Sequence, residues 1–420
     1  MINGMTLARL RGSRLLRGSA GLLVGSLTAS AGAYVFNVVA GRALGPAVYG
    51  SVLALVSSLT ILSVPAQSMQ TMAAREVASA IAHGAGSAAA EARSLHRMAA
   101  LLAALVLAGF LVLSVPLART LAIDSRAAVV AVGIAGAASI LLSTQRGIIQ
   151  GRGQFVALSA TLVGDPALRL TSFFALLLLG FRIGAPIGAF LVATAGMYAL
   201  IAVLTRARGT IEAARPLPGF TARLRAMLPY TVAVAAATAL YNVDILVARA
   251  VLPEQAAGVY GAGAVLGRAV FFIGSSAGMA LLPLISAAPT HATRVQYLVE
   301  ALVFTVGLSG VLVVGYALLP GLVIAATFGA AFEALRGDLW VFGFAMLLYA
   351  LANLAVSYLI ALHRWAVIAP LVATALVQAA LLIAWHTDVR TLVLVQIATM
   401  LMANATLWPL VAREVRRGAR

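Results

Sequence analysis

The chain has 420 residues, 62% hydrophobic and only 10% charged, and its 29 basic residues against 12 acidic ones give a formal charge of +17. A soluble protein carries about a quarter charged residues, so composition excludes an ordinary soluble enzyme and places the chain in a membrane. There is no Cys and only five His, which removes disulfide frameworks, thiolate zinc sites, cysteine nucleophiles and an HExxH metal site.

A membrane-spanning helix needs about 20 apolar residues, and such runs recur along the whole sequence. The runs predict twelve spans: 18–40, 48–72, 98–118, 127–145, 154–180, 184–204, 227–248, 257–284, 298–325, 339–361, 365–385 and 390–411. No length remains for a soluble catalytic domain. The first run follows Arg9, Arg11, Arg14 and Arg17 and carries Ala-x-Ala-like text at Ala29–Ala33, as a signal peptide would; its length and the eleven spans behind it favour a true span.

Basic residues collect on cytoplasmic loops. With the N-terminus inside, twenty Arg fall on inner segments, from Arg9, Arg11, Arg14 and Arg17 through Arg75, Arg93, Arg97, Arg146, Arg152, Arg294 and Arg364 to Arg413, Arg416, Arg417 and Arg420. Seven fall outside, and Arg169 and Arg268 lie within spans. The expected protein is multi-pass in the cytoplasmic membrane with both termini inside. The same distribution argues against a nucleic-acid partner, because the Arg residues are spread along one membrane face without a soluble binding module.

The longest inner connection, 206–226, is rich in Arg and holds Pro216, Pro218 and Gly219, which divides the chain into a six-helix lobe at 1–205, a basic linker, and a six-helix lobe at 227–420. Across that linker the sequence partly repeats. Asn37-Val-Val-Ala-Gly-Arg42-Ala-Leu-Gly-Pro46-Ala-Val-Tyr49-Gly50 reappears as Asp244-Ile-Leu-Val-Ala-Arg249-Ala-Val-Leu-Pro253, followed by Gly258-Val-Tyr260-Gly261. Because six spans restore the starting side, the halves are parallel repeats, an arrangement suited to transport.

These residues resemble the polysaccharide flippases, O-antigen flippases among them, of the multidrug/oligosaccharidyl-lipid/polysaccharide exporter superfamily. The resembling text is Gly41-Arg42-Ala43-Leu44-Gly45-Pro46-Ala47-Val48-Tyr49-Gly50, Arg75-Glu76, Gln150-Gly151-Arg152-Gly153-Gln154-Phe155, Asn242-Val243-Asp244, Pro253 with Tyr260-Gly261, and Pro283. The resemblance implies an all-α polytopic fold of about twelve transmembrane helices in two six-helix lobes around a central cavity. It implies that a polyprenyl-diphosphate-linked oligosaccharide is moved from the inner to the outer leaflet by alternating access, for cell-surface polysaccharide biosynthesis. The implied partners are that lipid-linked glycan and membrane lipids, with a polysaccharide polymerase and glycosyltransferases beside them; no cofactor is implied beyond H+ or Na+ as a coupling ion.

Ionisable residues inside spans are the first place to look for such a function. Arg suits a diphosphate, since its guanidinium stays charged and presents a planar fork of donors. Arg268, about 16 Å into span eight by helix rise, is the first candidate for substrate binding, and its alternative is a structural pair with Asp244 of span seven. Asp244 is also a candidate for coupling H+ or Na+. Asp165 and Arg169 stand four residues apart on one helical face; an intrahelical salt bridge is the favoured reading, with Asp165 as a second ion-coupling candidate and Arg169 as a second substrate contact. Together these four embedded charges sum to zero. Arg42, its repeat partner Arg249 and Arg75 sit at span ends; Arg42 and Arg75 are further substrate-binding candidates, all three could gate or meet headgroup phosphates, and anchoring of the helices at the interface is the favoured reading. Asn37, Asn242, Gln67, Gln70, Asn353, Gln378, Gln396 and Asn404 are expected to hydrogen-bond between helices.

Two rival functions are weighed. A small-molecule or drug cation antiporter of the same superfamily favours an acidic, aromatic-lined pocket, whereas the embedded set here includes two Arg. A polyprenyl-dependent polymerase or glycosyltransferase places its chemistry in long outer loops, and the outer connections here are short, so no enzyme is expected. No GxxxxGK[ST] motif is present to bind ATP.

Overall fold

The computed structural model describes residues 14–82, 85–121, 123, 125–205, 220–287, 290–362 and 364–417. Among them the chain is helical: α1 (Arg14–Ala82), α2 (Ala85–Thr120), α3 (Arg126–Gly151), α4 (Phe155–Leu178), α5 (Gly184–Thr205), α6 (Phe220–Val251), α7 (Glu254–Ala287), α8 (His291–Leu318), α9 (Pro320–Ala326), α10 (Leu339–Ala361), α11 (Ile368–Ala384) and α12 (Val389–Arg417). Among the described residues eleven helical segments are long and apolar enough to cross a membrane, and the first, Thr28–Ile81, holds two of the twelve expected spans. This is a multi-pass membrane protein.

The two spans inside α1 are separated by backbone chemistry. Gly45 adopts φ 74° and ψ 166°, a conformation open to glycine because it lacks a Cβ. Pro46 follows, disfavouring the helical region at its predecessor and opening the second arm of α1. Several helices outrun the apolar stretches. α2 begins at Ala85, α8 at His291 and α6 at Phe220, and α12 continues to Arg417, because hydropathy marks what crosses lipid while helical hydrogen bonding continues through the polar turns beyond. Of the expected linker, 206–219 lie outside the described residues and 220–226 form the first turns of α6.

Two compact units are present: residues up to Phe36 with Ser58–Thr231, and Asn37–Ser57 with Val232–Arg420. Each division between them falls inside a helix, two in α1 and one in α6. In the first unit α2 packs on α3, and α5 on α3 and α4. In the second, α10 packs against α7, α8 and α12. α10 is apolar around its whole circumference and is buried along its length, from Leu339 and Phe342 to Tyr358 and Leu359, as a helix without a polar face must be. α2 and α8 instead turn large apolar side chains outward, among them Val112 at 78% and Val311 at 69% exposure. Such bare apolar faces suit lipid.

Within the second unit the two copies of the repeat meet. A Cβ at Gly258 would overlap the Pro46 carbonyl oxygen, and one at Gly50 would press on the Gly258 backbone. Tyr49 and Tyr260 are both fully buried. Tyr49 Oη donates to Asn37 Oδ1 at 3.5 Å, and Tyr260 Oη donates to Asp244 Oδ2 at 2.9 Å. The repeat is therefore expressed as the same contact made twice, once to an amide and once to a carboxylate.

Candidate functional site

In the first unit the embedded charges form one cluster. Asp165 lies near the middle of α4 and accepts Arg169 NH2 through Oδ1 at 2.7 Å, the expected i,i+4 bridge. Its other oxygen accepts Arg146 NH2 at 3.0 Å. Arg146 was expected on an inner connection, but it stands inside α3 and also donates to Thr161 Oγ1 at 3.2 Å and to the Thr161 carbonyl at 3.0 Å. The signal was present: Ile148 and Ile149 carry the apolar pattern past Arg146. The three side chains are 12%, 13% and 17% exposed for Arg146, Asp165 and Arg169. One carboxylate thus serves two guanidiniums, and the embedded set is not neutral: three Arg against two Asp leave an excess of one positive charge. The Arg169 guanidinium lies 3.7 Å from the centre of the Phe190 ring of α5, an attraction between cation and ring quadrupole. Arg169 Nε is buried with no hydrogen-bond partner.

The second unit holds its charges differently. Asp244, fully buried in α6, accepts Tyr260 Oη from α7 and Gln396 Nε2 from α12 at 3.4 Å. Its Oδ1 accepts no hydrogen bond of ordinary geometry. Arg268, in α7, donates to the Tyr241 carbonyl at 2.6 Å and to Asn242 Oδ1 at 3.2 Å, and its guanidinium lies 4.1 Å from the centre of the Tyr241 ring. The expected alternative, an Arg268–Asp244 ion pair, is not formed: among the described residues no Arg nitrogen comes within 4.0 Å of Asp244, and Asn242 occupies the place of the partner. Arg268 Nε is buried without a partner. Tyr241, Phe271 and Tyr349 pack in tilted and edge-on pairs in the same neighbourhood, with centroids 4.8 to 5.7 Å apart. Asn242 and Gln396 were legible as polar groups inside spans and Tyr260 as part of the repeated Tyr-Gly; Tyr241 was not, since a lone Tyr in an apolar run reads as packing.

The residues at span ends take several roles. Arg42 is exposed and donates to the Ala325 carbonyl at 2.6 Å, capping the end of α9. Arg249, expected at an interface, is buried at 2% exposure and pairs with Glu254 at 3.0 Å. Arg75 is exposed on the second arm of α1. Trp340, Trp365 and Trp385 are exposed near helix ends, as interfacial belts are.

No protein-family model matches the sequence, and no curated protein matches it. The fold, however, is shared with solved transporters. An inward-facing multidrug resistance MATE family transporter of the MOP superfamily superposes with a TM-score of 0.75 at 13% identity, over 92% of this chain and 96% of that one. The lipid II flippase MurJ, in an inward closed conformation, gives 0.75 at 12% identity over 94% and 87%. A MOP superfamily transporter from Pyrococcus furiosus, described with a binding pocket of reversed polarity, gives 0.59 at 14% identity over 97% and 95%. At these identities the likeness is one of fold. The chain has the fold of MATE and MurJ transporters.

Proposed function

We propose that this protein is a transporter that carries a polyprenyl-diphosphate-linked oligosaccharide from the inner to the outer leaflet of the cytoplasmic membrane by alternating access, for cell-surface polysaccharide assembly. The observation that carries this reading is the excess of positive charge on Arg146, Arg169 and Arg268 inside apolar helices, with Arg169 Nε and Arg268 Nε still lacking acceptors. A buried donor without a partner is costly, and phosphate oxygens are acceptors of matching charge. Arg169 and Arg268 are the substrate contacts in this reading, and Arg42 and Arg75 meet headgroup phosphates at the helix ends. Both oxygens of Asp165 are occupied by guanidiniums, so coupling to H+ or Na+ is assigned to Asp244. In this reading the lobes follow the sequence division, 1–205 and 227–420, although Asn37–Ser57 groups with the second compact unit, and both termini are cytoplasmic. A lipid II flippase of the same fold supports a lipid-linked substrate.

A second reading, a small-molecule or drug cation antiporter, is favoured by the buried carboxylate of Asp244 beside Tyr260 and Gln396 and by the multidrug transporter of the same fold. One reconstitution separates the two. Liposomes receive a fluorescent polyprenyl-diphosphate oligosaccharide, and leaflet transfer is compared for the wild type, Arg268→Ala and Asp244→Asn. The flippase reading expects transfer by the wild type and its loss in folded Arg268→Ala. Exchange of a cationic dye for protons with no lipid transfer replaces it with the antiporter reading.

A further inference from the structure

At one end of the second unit, where α8 begins and α10 and α12 end, an open cavity of about 310 Å³ lies among His291, Arg294, Tyr358, Arg364, Glu414 and Arg417. A smaller recess of about 210 Å³ shares Arg364, Glu414 and Arg417 and adds Arg413. The first volume is at the small end of ligand pockets, which run to about 300–1,000 Å³. These Arg residues come from three separate stretches of sequence, each assigned to the inner face by charge bias.

The wall is charged unequally. Glu414 accepts Arg364 through Oε2 at 2.8 Å and Arg417 through Oε1 at 3.1 Å, so each of its oxygens already holds a guanidinium. Arg294 has no carboxylate within ion-pair distance among the described residues, and its Nε is buried with no hydrogen-bond partner. Three guanidiniums against one carboxylate leave an excess of two positive charges around the cavity. A second, independent feature lies beside them: Tyr358 is fully buried, yet its hydroxyl has no hydrogen-bond partner among the described residues. His291 is already occupied, its Nε2 lying 2.8 Å from the Val415 carbonyl. An apolar occupant would leave Arg294 and the Tyr358 hydroxyl unsatisfied. An anion with several acceptor oxygens satisfies both.

Trp365 names the setting. It is half exposed, next in sequence to Arg364, and an exposed Trp at a helix start marks the membrane–water interface. Basic pockets between helices at that level bind acidic lipid headgroups. We infer that this cavity is a binding site for the phosphate of an anionic phospholipid, with the Tyr358 hydroxyl and Arg294 donating to the phosphate oxygens and Arg364 and Arg417 held at the rim by Glu414. The site is separate from the Arg146–Asp165–Arg169 and Asp244–Arg268 clusters and does not depend on what the protein transports.

The test uses the full chain in detergent, stripped of lipid. Short-chain phosphatidylglycerol, short-chain phosphatidylcholine and inorganic phosphate are each titrated while the melting midpoint is followed, and native mass spectrometry counts retained lipid. Phosphatidylglycerol is expected to raise the midpoint and to be retained, and phosphatidylcholine is not. Arg294→Gln should weaken phosphatidylglycerol about fivefold, the share of one basic side chain near a lipid surface. Tyr358→Phe, which keeps the ring and its packing, should weaken it severalfold, and Arg294→Lys should recover most of the loss. Equal binding of the two lipids, or phosphatidylglycerol affinity unchanged in both folded variants, overturns the site. A shift produced by inorganic phosphate and lost in Arg294→Gln, with none from phosphatidylglycerol, overturns the lipid assignment in favour of a free phosphate.

Discussion

The two copies of the repeated segment, 37–50 and 244–261, fold alike and use their polar residues differently. In the first copy a buried Tyr49 meets Asn37, and Arg42 lies exposed with its guanidinium on the Ala325 carbonyl. In the second, a buried Tyr260 meets Asp244, and Arg249 is buried against Glu254. Since a neutral amide does the structural task in the first copy, packing asks only for an acceptor at this position. The negative charge of Asp244 exceeds what the fold requires, and burying a charge among neutral partners is expensive. That surplus is the physical ground for assigning Asp244 a role in transport. Asp165 is the opposite case, a carboxylate held between two guanidiniums, where removing the charge removes the structure.

The largest expected effect comes from separating the two copies. Gly258→Ala puts a methyl group into the Pro46 carbonyl oxygen, and rigid backbone on both sides cannot yield as a flexible side chain does. A loss of about 3 kcal/mol or more, at the upper end for overpacking, should appear as a much lower melting midpoint in detergent. A midpoint within a degree or two of the wild type would mean that the copies do not depend on this approach.

Asp165→Asn should cost about 3 kcal/mol, the lower end for breaking a buried pair, because it leaves Arg146 and Arg169 facing each other without a counter-charge. The double variant Asp165→Asn with Arg146→Met should recover part of that loss. Additive losses in thermal unfolding would mean that the cluster is not a unit.

The Asp244 variants sharpen the contrast between the copies. Asp244→Asn installs the residue of the first copy, and stability should change by less than about 1 kcal/mol because Tyr260 still finds an oxygen. Asp244→Ala leaves the Tyr260 hydroxyl buried and unpaired, at a cost of about 2 kcal/mol. Both should lose coupled transport in liposomes. A fully active Asp244→Asn would show that the charge is dispensable and return Asp244 to a structural role.

What the sequence disclosed follows from which interactions are local. Apolar runs mark spans because lipid crossing is a property of about twenty consecutive residues, and the i,i+4 bridge from Asp165 to Arg169 is written within one helix turn. Gly45-Pro46 announces the break between the two arms of α1, and Gly45 there is non-helical. Ile148 and Ile149 marked Arg146 as part of the helix, but its pairing was hidden because its partner lies nineteen positions away on another helix, and a basic residue near a span end is read as topology. The partners of Asp244 and Arg268 come from α6, α7 and α12. Spacing within a helix cannot reveal which face meets which neighbour, so the pairing of Arg268 with Asn242 in place of Asp244 had to be seen. The four Arg residues around the α8–α12 end were each legible as inner-face charges, but their convergence was not.

The smallest effect supplies a reference in water for the substitution made at Asp244. Asp388, between α11 and α12, accepts the Thr391 backbone N–H through Oδ1 at 2.7 Å, capping α12. Hydrogen bonding from the Thr391 side chain, and after it that backbone N–H, holds its carboxyl below the ordinary range. A depressed carboxylate contributes stability that is present above its unfolded pKa and is lost as the pH falls through its folded value, so the contribution fades only below about pH 4. The group is solvent-exposed, and Asn caps a helix nearly as well as Asp. Asp388→Asn should therefore cost well under about 1 kcal/mol at neutral pH, and the difference from wild type should vanish in acid melts. It should leave transport untouched. The same change of carboxylate to amide, silent at Asp388 and disabling at Asp244, would separate the loss of a charge the mechanism uses from the loss of a hydrogen-bond acceptor. Equal loss of transport in both variants would show that the assay reads helix integrity, and the surplus-charge argument for Asp244 would fall with it.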